Sequence, residues 1–467
     1  MSRGSLSRRR FLYLSGALAA SGALVATDAP RALASRARAS STTTLQFWVP
    51  PGGTPWCQTL DTVEHNYMKL HPSVHLSPTL CGTGKQDYMT VVLARITAGN
   101  PPDAMVSWNT PVSLGIQGAL VPLDDLMAHS QYSQKSNWPS SVLASCQFGG
   151  KTYGLPATEG SYAFWFNQEW FEKKGIPSSR DTFPKTWDEL RKLSKEFTHW
   201  KGSQLLTAGY VPMRTNDGDF PPTTYVWPAL NGGQIYDAQN RKYTVNSEQN
   251  IAMMEYMVAW LNEEYKGDMV AVERSGNWQL GVDSQNRPGA FPAGKMAMAV
   301  AGSWMIGDIY NNGLTFSKWE VAPFPVGPGG SKTTSATWPD WLIIPHGSHN
   351  VQAAFGWLDY LGGVGMRTWF TAVPDLPANK MVPSNIVPPI VEHKRGRAFA
   401  VDVVTFFRHQ ADISTSMWNS PVDSFATDQV TKALSKIMYK TAKPKDALAE
   451  AQQACQSQLQ RTLMTAR

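Results

Sequence analysis

From Thr44 to Val49 polar and apolar residues alternate (Thr-Leu-Gln-Phe-Trp-Val), the period-2 signature of a strand, and Pro50-Pro51-Gly52-Gly53 ends it in a loop. Residues 56–70 read as a helix stopped before Pro72, and Val74-His75-Leu76 as a second short strand. Asp87 to Ala98 carries Val91, Val92, Ala94 and Ile96 at helical spacing, and Pro101-Pro102-Asp103 leads into a third strand over 104–106. This β-α-β-α-β alternation predicts a parallel sheet with helices on its faces.

A similar alternation restarts downstream. Tyr162 to Phe166 is a strand, Asn167 to Lys174 a helix closed by Gly175, and Thr186 with Glu189 forms the capping box of another helix. Further helices are predicted over 251–264, 353–361, 428–439 and 445–459, and strands over 295–301 and 341–344. Two α/β units without a sequence repeat imply two lobes.

Composition narrows the functional classes. The 467 residues are 42% hydrophobic and 17% charged, enough to bury cores in two or more domains. Of the formal +6, residues 1–34 contribute +4 (Arg3, Arg8, Arg9, Arg10 and Arg31 against Asp28), which leaves +2 for the rest. A chain so near neutrality has no electrostatic handle for nucleic acid. The 18 Trp, 15 Tyr and 18 Phe are the more telling excess.

The basic start belongs to a targeting segment. Ser7-Arg8-Arg9-Arg10-Phe11-Leu12 resembles the twin-arginine export signature, an apolar stretch runs to about Val25, and Ala32-Leu33-Ala34 offers a cleavage site. The mature chain is expected to begin near Ser35, periplasmic or extracellular, with no lipid-anchoring Cys at the cleavage site. Later segments contain no apolar run near the ~20 residues a membrane span needs.

An oxidising compartment permits disulfides among Cys57, Cys81, Cys146 and Cys455. Four cysteines allow three full pairings. Cys57 with Cys81 is favoured, because both sit in Gly/Pro-rich loops near the mature N-terminus. No CxxC or short Cys/His spacing supports a zinc site, and neither a metal nor a cofactor is expected. GxSxG, HExxH and GxxxxGK[ST] motifs are also absent from the sequence, and Gly82-Thr83-Gly84-Lys85 reads as a plain loop.

The order of several short motifs carries a family likeness. These are Leu45-Gln46-Phe47-Trp48, Pro102-Asp103-Ala104-Met105, Gly118 to Asp124, Tyr153-Gly154-Leu155-Pro156, Phe166-Asn167, Pro184 to Leu190, Phe291 to Met298, Gly302-Ser303-Trp304, and the helix pair around Ala433-Leu434 and Ala447-Leu448. In that order the chain resembles the extracellular solute-binding protein family 1, the sugar-binding group that includes maltose-binding proteins. The resemblance implies a periplasmic-binding-protein-like α/β fold with two lobes, each a central sheet flanked by helices. It further implies three hinge crossings, near 157–161, 322–328 and 378–383. Residues 1–34 are then a signal peptide, 35–157 and 328–378 lobe one, and 158–327 and 379–467 lobe two.

Sugar rings offer an apolar C–H face and a hydroxyl edge, which aromatic rings and carboxylates or amides can grip. Ligands of such sheets sit beyond the carboxyl ends of strands. Expected contacts are therefore Trp48, Gly53 and Trp56 after the first strand, Trp108 and Asn109 after the third, and Glu159, Gly160 and Tyr162 at the first crossing. Trp304 matches the family's second-lobe aromatic, and Trp338 and Asp340 flank the returning strand. Trp227 and Trp418 complete the set. Trp165 and Trp187 read as packing residues. The function so implied is that of a monomeric, non-catalytic binding subunit of an ABC importer, delivering a neutral oligosaccharide to membrane subunits. Alternatives are a secreted glycoside hydrolase, in which Glu159 and Asp340 could face each other across a bond, or a binder of a polyol or glycerol phosphate. A phosphate ligand would call for basic residues in the cleft, where only Lys85 and Arg214 stand out.

Overall fold

The computed structural model describes residues 42–50, 53–76, 80–81, 88–213, 222–278, 288–311, 315–373, 375–383, 385–415 and 419–465. The chain runs β1 (Thr43–Leu45), β2 (Phe47–Val49), α1 (Gly53–Leu70), β3 (Val74–Leu76), β4 (Leu80–Cys81), α2 (Tyr88–Thr97), β5 (Ala104–Ser107) and β6 (Leu155–Pro156). It continues through β7 (Tyr162–Asn167), α3 (Trp187–Phe197), α4 (Glu248–Glu264), β8 (Met298–Gly302), β9 (Trp319–Ala322) and β10 (Trp341–Ile343). Helices α5 (Val351–Tyr360), α6 (Met366–Ala372), α7 (Arg397–Asp412), α8 (Asp423–Met438) and α9 (Pro444–Thr465) complete the elements used below.

Two sheets organise two lobes. The first has five strands in the order β4-β2-β5-β10-β6. Strands β4, β2 and β5 are parallel, and β10 returns antiparallel to β5 and β6. The predicted first strand is broken at Gln46. Its first half, β1, pairs with β3, and its second half enters the main sheet. Asp103 makes the break by accepting the Gln46 backbone N–H at 2.9 Å.

The second sheet, β8-β7-β9, is wholly antiparallel, unlike the parallel expectation for this kind of alternation. Every residue of β7 (Tyr-Ala-Phe-Trp-Phe-Asn) is buried, as a central strand covered on both faces must be. Phe164 packs against Phe183, Tyr210, Trp227 and Phe324, while Trp165 packs against Trp319 and Phe407 of α7. Trp165 and Trp187 are packing residues, each donating its indole N–H to a backbone carbonyl. The capping box of α3 is present, Thr186 Oγ1 accepting from Glu189 N and the Glu189 side chain accepting from Thr186 N.

Residues 157–161 link β6 to β7, and residues 323–340 link β9 back to β10. Along that return Val326 still bridges Thr186, and Ser335 still bridges Ser414. The chain then leaves α6 through Asp375–Ala378 towards α7, which packs on β7.

Cys57 and Cys81 form a disulfide with a Cα–Cα distance of 5.6 Å. Cys57 lies in the first turns of α1, not in the loop expected for it, and the bond fastens that helix start to β4. Cys146 and Cys455 are buried and unbonded. Among the described residues no helix is long and apolar enough to cross a membrane.

Candidate functional site

The segments that join the two sheets run side by side and are laced by hydrogen bonds. Ala157 N donates to Asp340 O (2.8 Å), Asp340 N to Thr158 Oγ1 (2.8 Å) and Trp338 N to Gly160 O (3.0 Å). On the other side Glu159 N donates to Leu376 O (2.7 Å) and Ala378 N to Ala157 O (3.1 Å). Gly160 makes the lacing possible. Its φ is +53°, and a Cβ there would stand 2.0 Å from Trp338 O.

On this ribbon the side chains of Trp108, Trp338 and Asp340 form one unit. Trp108 follows the C-terminal end of β5 and keeps 40% of its surface exposed. Its indole N–H is bonded to Asp340 Oδ1 at 2.9 Å, and its carbonyl accepts the Trp338 indole N–H at 3.1 Å. The indole N–H and the carbonyl of Trp108 are thus satisfied within the protein, which leaves a fixed apolar surface outward. Asn109 is exposed beside it. From the second lobe, Trp304 follows the end of β8 and stands edge-on to Tyr162, ring centroids 4.9 Å apart. Ser303, its neighbour, donates to Asp375 Oδ1 at 2.8 Å and so ties the end of β8 to the segment leaving α6.

Beneath Asp340 lies a small pit, lined by Val49, Val106 and Leu342 from the sheet, Trp56 and Leu60 from α1, and Met366 and Trp369 from α6, among others. Trp56 and Trp369 meet edge-to-face at 4.4 Å. Asp340 lines the pit and also holds Trp108, so one carboxylate joins the two features.

Carboxylates gather along the ribbon. Asp340 keeps some surface as a residue, but its carboxyl is enclosed. That burial, with the charge of Asp375 added, raises its pKa to about 8 against the opposing Trp108 hydrogen bond. Glu159 is 2% exposed, and its Oε1 accepts from Arg408 Nη1 of α7 at 3.0 Å, leaving Oε2 without a hydrogen-bond partner. Burial pushes its pKa up to about 8. Arg408 works against that rise, and Asp412 and Asp375 add to it. Among the described residues no group of three His, Cys, Asp or Glu side chains could hold a metal ion.

Of the expected residues the structure leaves Trp56, Trp108, Asn109, Trp304, Trp338 and Asp340 some exposed surface, holds Gly160 within the ribbon, and buries Tyr162 at 1% exposure in the central strand β7, where it packs instead of facing a ligand. It removes others. Trp48 is 4% exposed and packs in the core, with Arg95 over its face, because β2 is covered on both sides. Trp227 is 1% exposed in the aromatic cluster around Phe164. Glu159 is committed to Arg408 rather than presented to a ligand. Gly53 opens α1, and Trp418 lies outside the described residues. Trp369, Thr158, Asp375 and Arg408 carry parts of the arrangement that sequence reading missed. Only Asp375, in the run 374–377 between two prolines, left a local trace.

Comparison with known proteins agrees with this architecture. The chain is similar to the solved structures of CpMnBP1 with mannotriose bound (TM-score 0.70, 20% identity, 88% of this chain and 100% of that one). It is also similar to the maltose/maltodextrin-binding domain MalE of Bdellovibrio bacteriovorus bound to maltotriose (TM-score 0.65, 16% identity, 90% and 100%). At these identities the likeness is one of fold. By sequence it is 26% identical over 302 residues to a Brucella abortus protein that bears a binding-protein name, 61% of this chain and 64% of that one. The match thus spans less than two thirds of that relative's length. A Rhizobium meliloti protein named "Probable sugar-binding periplasmic protein" is 28% identical over 169 residues, 35% of this chain and 38% of its own. The family model for bacterial extracellular solute-binding proteins matches residues 81–393, the larger part of the chain, and the protein belongs to that family.

Proposed function

We propose that this protein is the non-catalytic, substrate-capturing subunit of an ABC importer and that it holds a neutral carbohydrate between its lobes. The observation that carries the reading is the placement of Trp108 and Trp304. Each follows a strand end, one in each lobe, and the ribbon between the sheets carries the carboxyls of Asp340, bonded to Trp108, and of Glu159, paired with Arg408. A fixed indole face suits the C–H face of a sugar, and carboxyl groups can exchange hydrogen bonds with its hydroxyls. Sugar-bound structures of similar fold support the choice of ligand.

In this reading the first 34 residues are a twin-arginine signal removed near Ala34, and the mature protein works outside the membrane as a monomer without cofactor. Residues 157–161, the return to β10 and the exit from α6 serve as three hinge crossings. The ligand favours the closed state by touching both lobes, since only differential affinity shifts such an equilibrium. The importer's membrane subunits then recognise that state.

A thermal-shift screen of the mature protein against neutral oligosaccharides, polyols and glycerol phosphate tests the proposal. Stabilisation by at least one oligosaccharide, with the sugar recovered intact after incubation, is the expected result. Stabilisation by glycerol phosphate alone, or cleavage of the sugar, would overturn it.

A further inference from the structure

The two lobes also meet through residues outside the ribbon. Thr110 stands two residues after Trp108, on the first-lobe loop that leaves β5 and opens the short helix Pro111–Ile116. Its Oγ1 donates to Asp423 Oδ2 at 3.2 Å, across 313 residues of chain. Asp423 begins α8, and α8 belongs to the second lobe. It packs on α4 and α9, and Trp260 of α4 faces Tyr210, which in turn abuts Phe164 of β7. Thr110 and Asp423 are each 4% exposed, and the helix Pro111–Ile116 lies against α8.

The two oxygens of Asp423 are divided between the lobes. Oδ1 accepts the Ser420 N–H of its own segment at 2.8 Å, and Oδ2 reaches across to Thr110. Ser420 is held in turn by Tyr243, whose hydroxyl donates to Ser420 Oγ at 2.6 Å. The titratable groups around the carboxyl are Tyr236 and Tyr243, with Arg241 acting on Tyr236 and Cys455 of α9 acting on Tyr243. Among the described residues no basic side chain acts on Asp423 itself. An ionised carboxylate buried without a cation is costly. Burial accordingly raises the pKa of Asp423 to about 7, against the hydrogen bonds from Ser420 and Thr110.

We propose that Thr110 and Asp423 form a latch that holds the two lobes together without ligand and loosens as Asp423 ionises. The inference rests on the hinge motion proposed above and makes a proton one of the factors that set it. Parting the lobes takes Thr110 away and admits water to the carboxyl, which returns towards its ordinary pKa of 3.8. Closed lobes therefore hold a proton that open lobes release. By linkage the advantage of closure is complete below about pH 4 and is lost as pH rises through about 7.

Small-angle X-ray scattering of the ligand-free mature protein tests the latch. Thr110→Val removes the hydroxyl at nearly constant volume and should enlarge the radius of gyration at about pH 5, whereas Thr110→Ser, which keeps the hydroxyl, should match the wild type. The wild-type radius should grow between about pH 5 and about pH 8, and Asp423→Asn, which keeps a polar partner for Thr110 and cannot ionise, should show less of that growth. Glu159 and Asp340 of the ribbon titrate near the same range, so the difference between Asp423→Asn and the wild type isolates the latch. In calorimetry with a glycan found to bind, Thr110→Val should be weaker by about fivefold, the equivalent of one lost hydrogen bond. The Asp423→Asn comparison decides alone if Thr110→Val does not fold. A Thr110→Val radius equal to that of the wild type, or an undiminished pH response in Asp423→Asn, would overturn the latch. If a bound glycan still compacts the protein at about pH 8, ligand-driven closure then stands without it. A radius unchanged by substitution, by pH and by every glycan removes hinge closure and the latch together.

Discussion

Gly160 offers a sharp test of the laced ribbon. In Gly160→Ala two costs coincide. A non-glycine residue at φ +53° carries about 1–2 kcal/mol of left-handed strain. The new methyl would also stand 2.0 Å from Trp338 O, where contacts under 3.0 Å essentially never occur, so the ribbon must part by roughly that difference. Parting it strains the Trp338 N–Gly160 O bond at 3.0 Å and its neighbours across the ribbon. Losing one or two such bonds adds about 1–3 kcal/mol, for a total of about 2–5 kcal/mol. Gly149→Ala is the control. Its φ is +58°, yet nothing lies within 4 Å of the added methyl, so it should cost only the strain, about 1 kcal/mol. Equilibrium urea unfolding of both variants and the wild type, with shared slopes, separates the contributions. If Gly160→Ala came within about 0.5 kcal/mol of Gly149→Ala, the close approach of the two segments would be refuted as a stabilising feature.

Other consequences are open to simpler assays. Trp304→Ala should weaken glycan binding about tenfold or more by calorimetry while leaving the unfolding midpoint nearly unchanged, because its ring is only half-buried against Tyr162. Asp340 titrates near 8 in the folded chain against an ordinary value of 3.8, so the folded state binds the extra proton. Wild-type stability should therefore fall as pH rises from about 4 to 8 and stay low above it, whereas Asp340→Asn should lose less over that window in pH-dependent denaturation. Removing the Cys57–Cys81 bond, by Cys57→Ser with Cys81→Ser, should cost about 3 kcal/mol for a link of sequence separation 24, read as a lower denaturation midpoint that no longer responds to reductant.

Legibility in the sequence followed the range of the interactions concerned. Strand ends and helix starts depend on near neighbours. The Thr186–Glu189 box was therefore readable, and so were the positions of Trp108 and Trp304 after their strands. Burial of a single aromatic residue depends on what the tertiary fold lays over it. Trp48 alternates with Leu45 in the manner of a half-exposed strand, yet β2 is central and covered on both faces. Trp227 follows a Pro-rich segment that looked like a cleft loop and instead feeds the aromatic cluster. The pairing of Glu159 with Arg408 spans 249 residues, and no local pattern announces it. Nor does helical periodicity separate the Trp369 that lines the pit from one that merely fills a core.

The covalent link at the start of α1 has a consequence for recognition. Trp56 immediately precedes Cys57, and its ring abuts Trp369, so this wall of the pit is set when the chain folds. A guest meeting a wall already immobilised need not supply the ordering entropy of a rotating indole, about 0.5–1.5 kcal/mol for a side chain fixed on association. Closing the bond thereby orders this wall once, when the chain folds, instead of at each encounter.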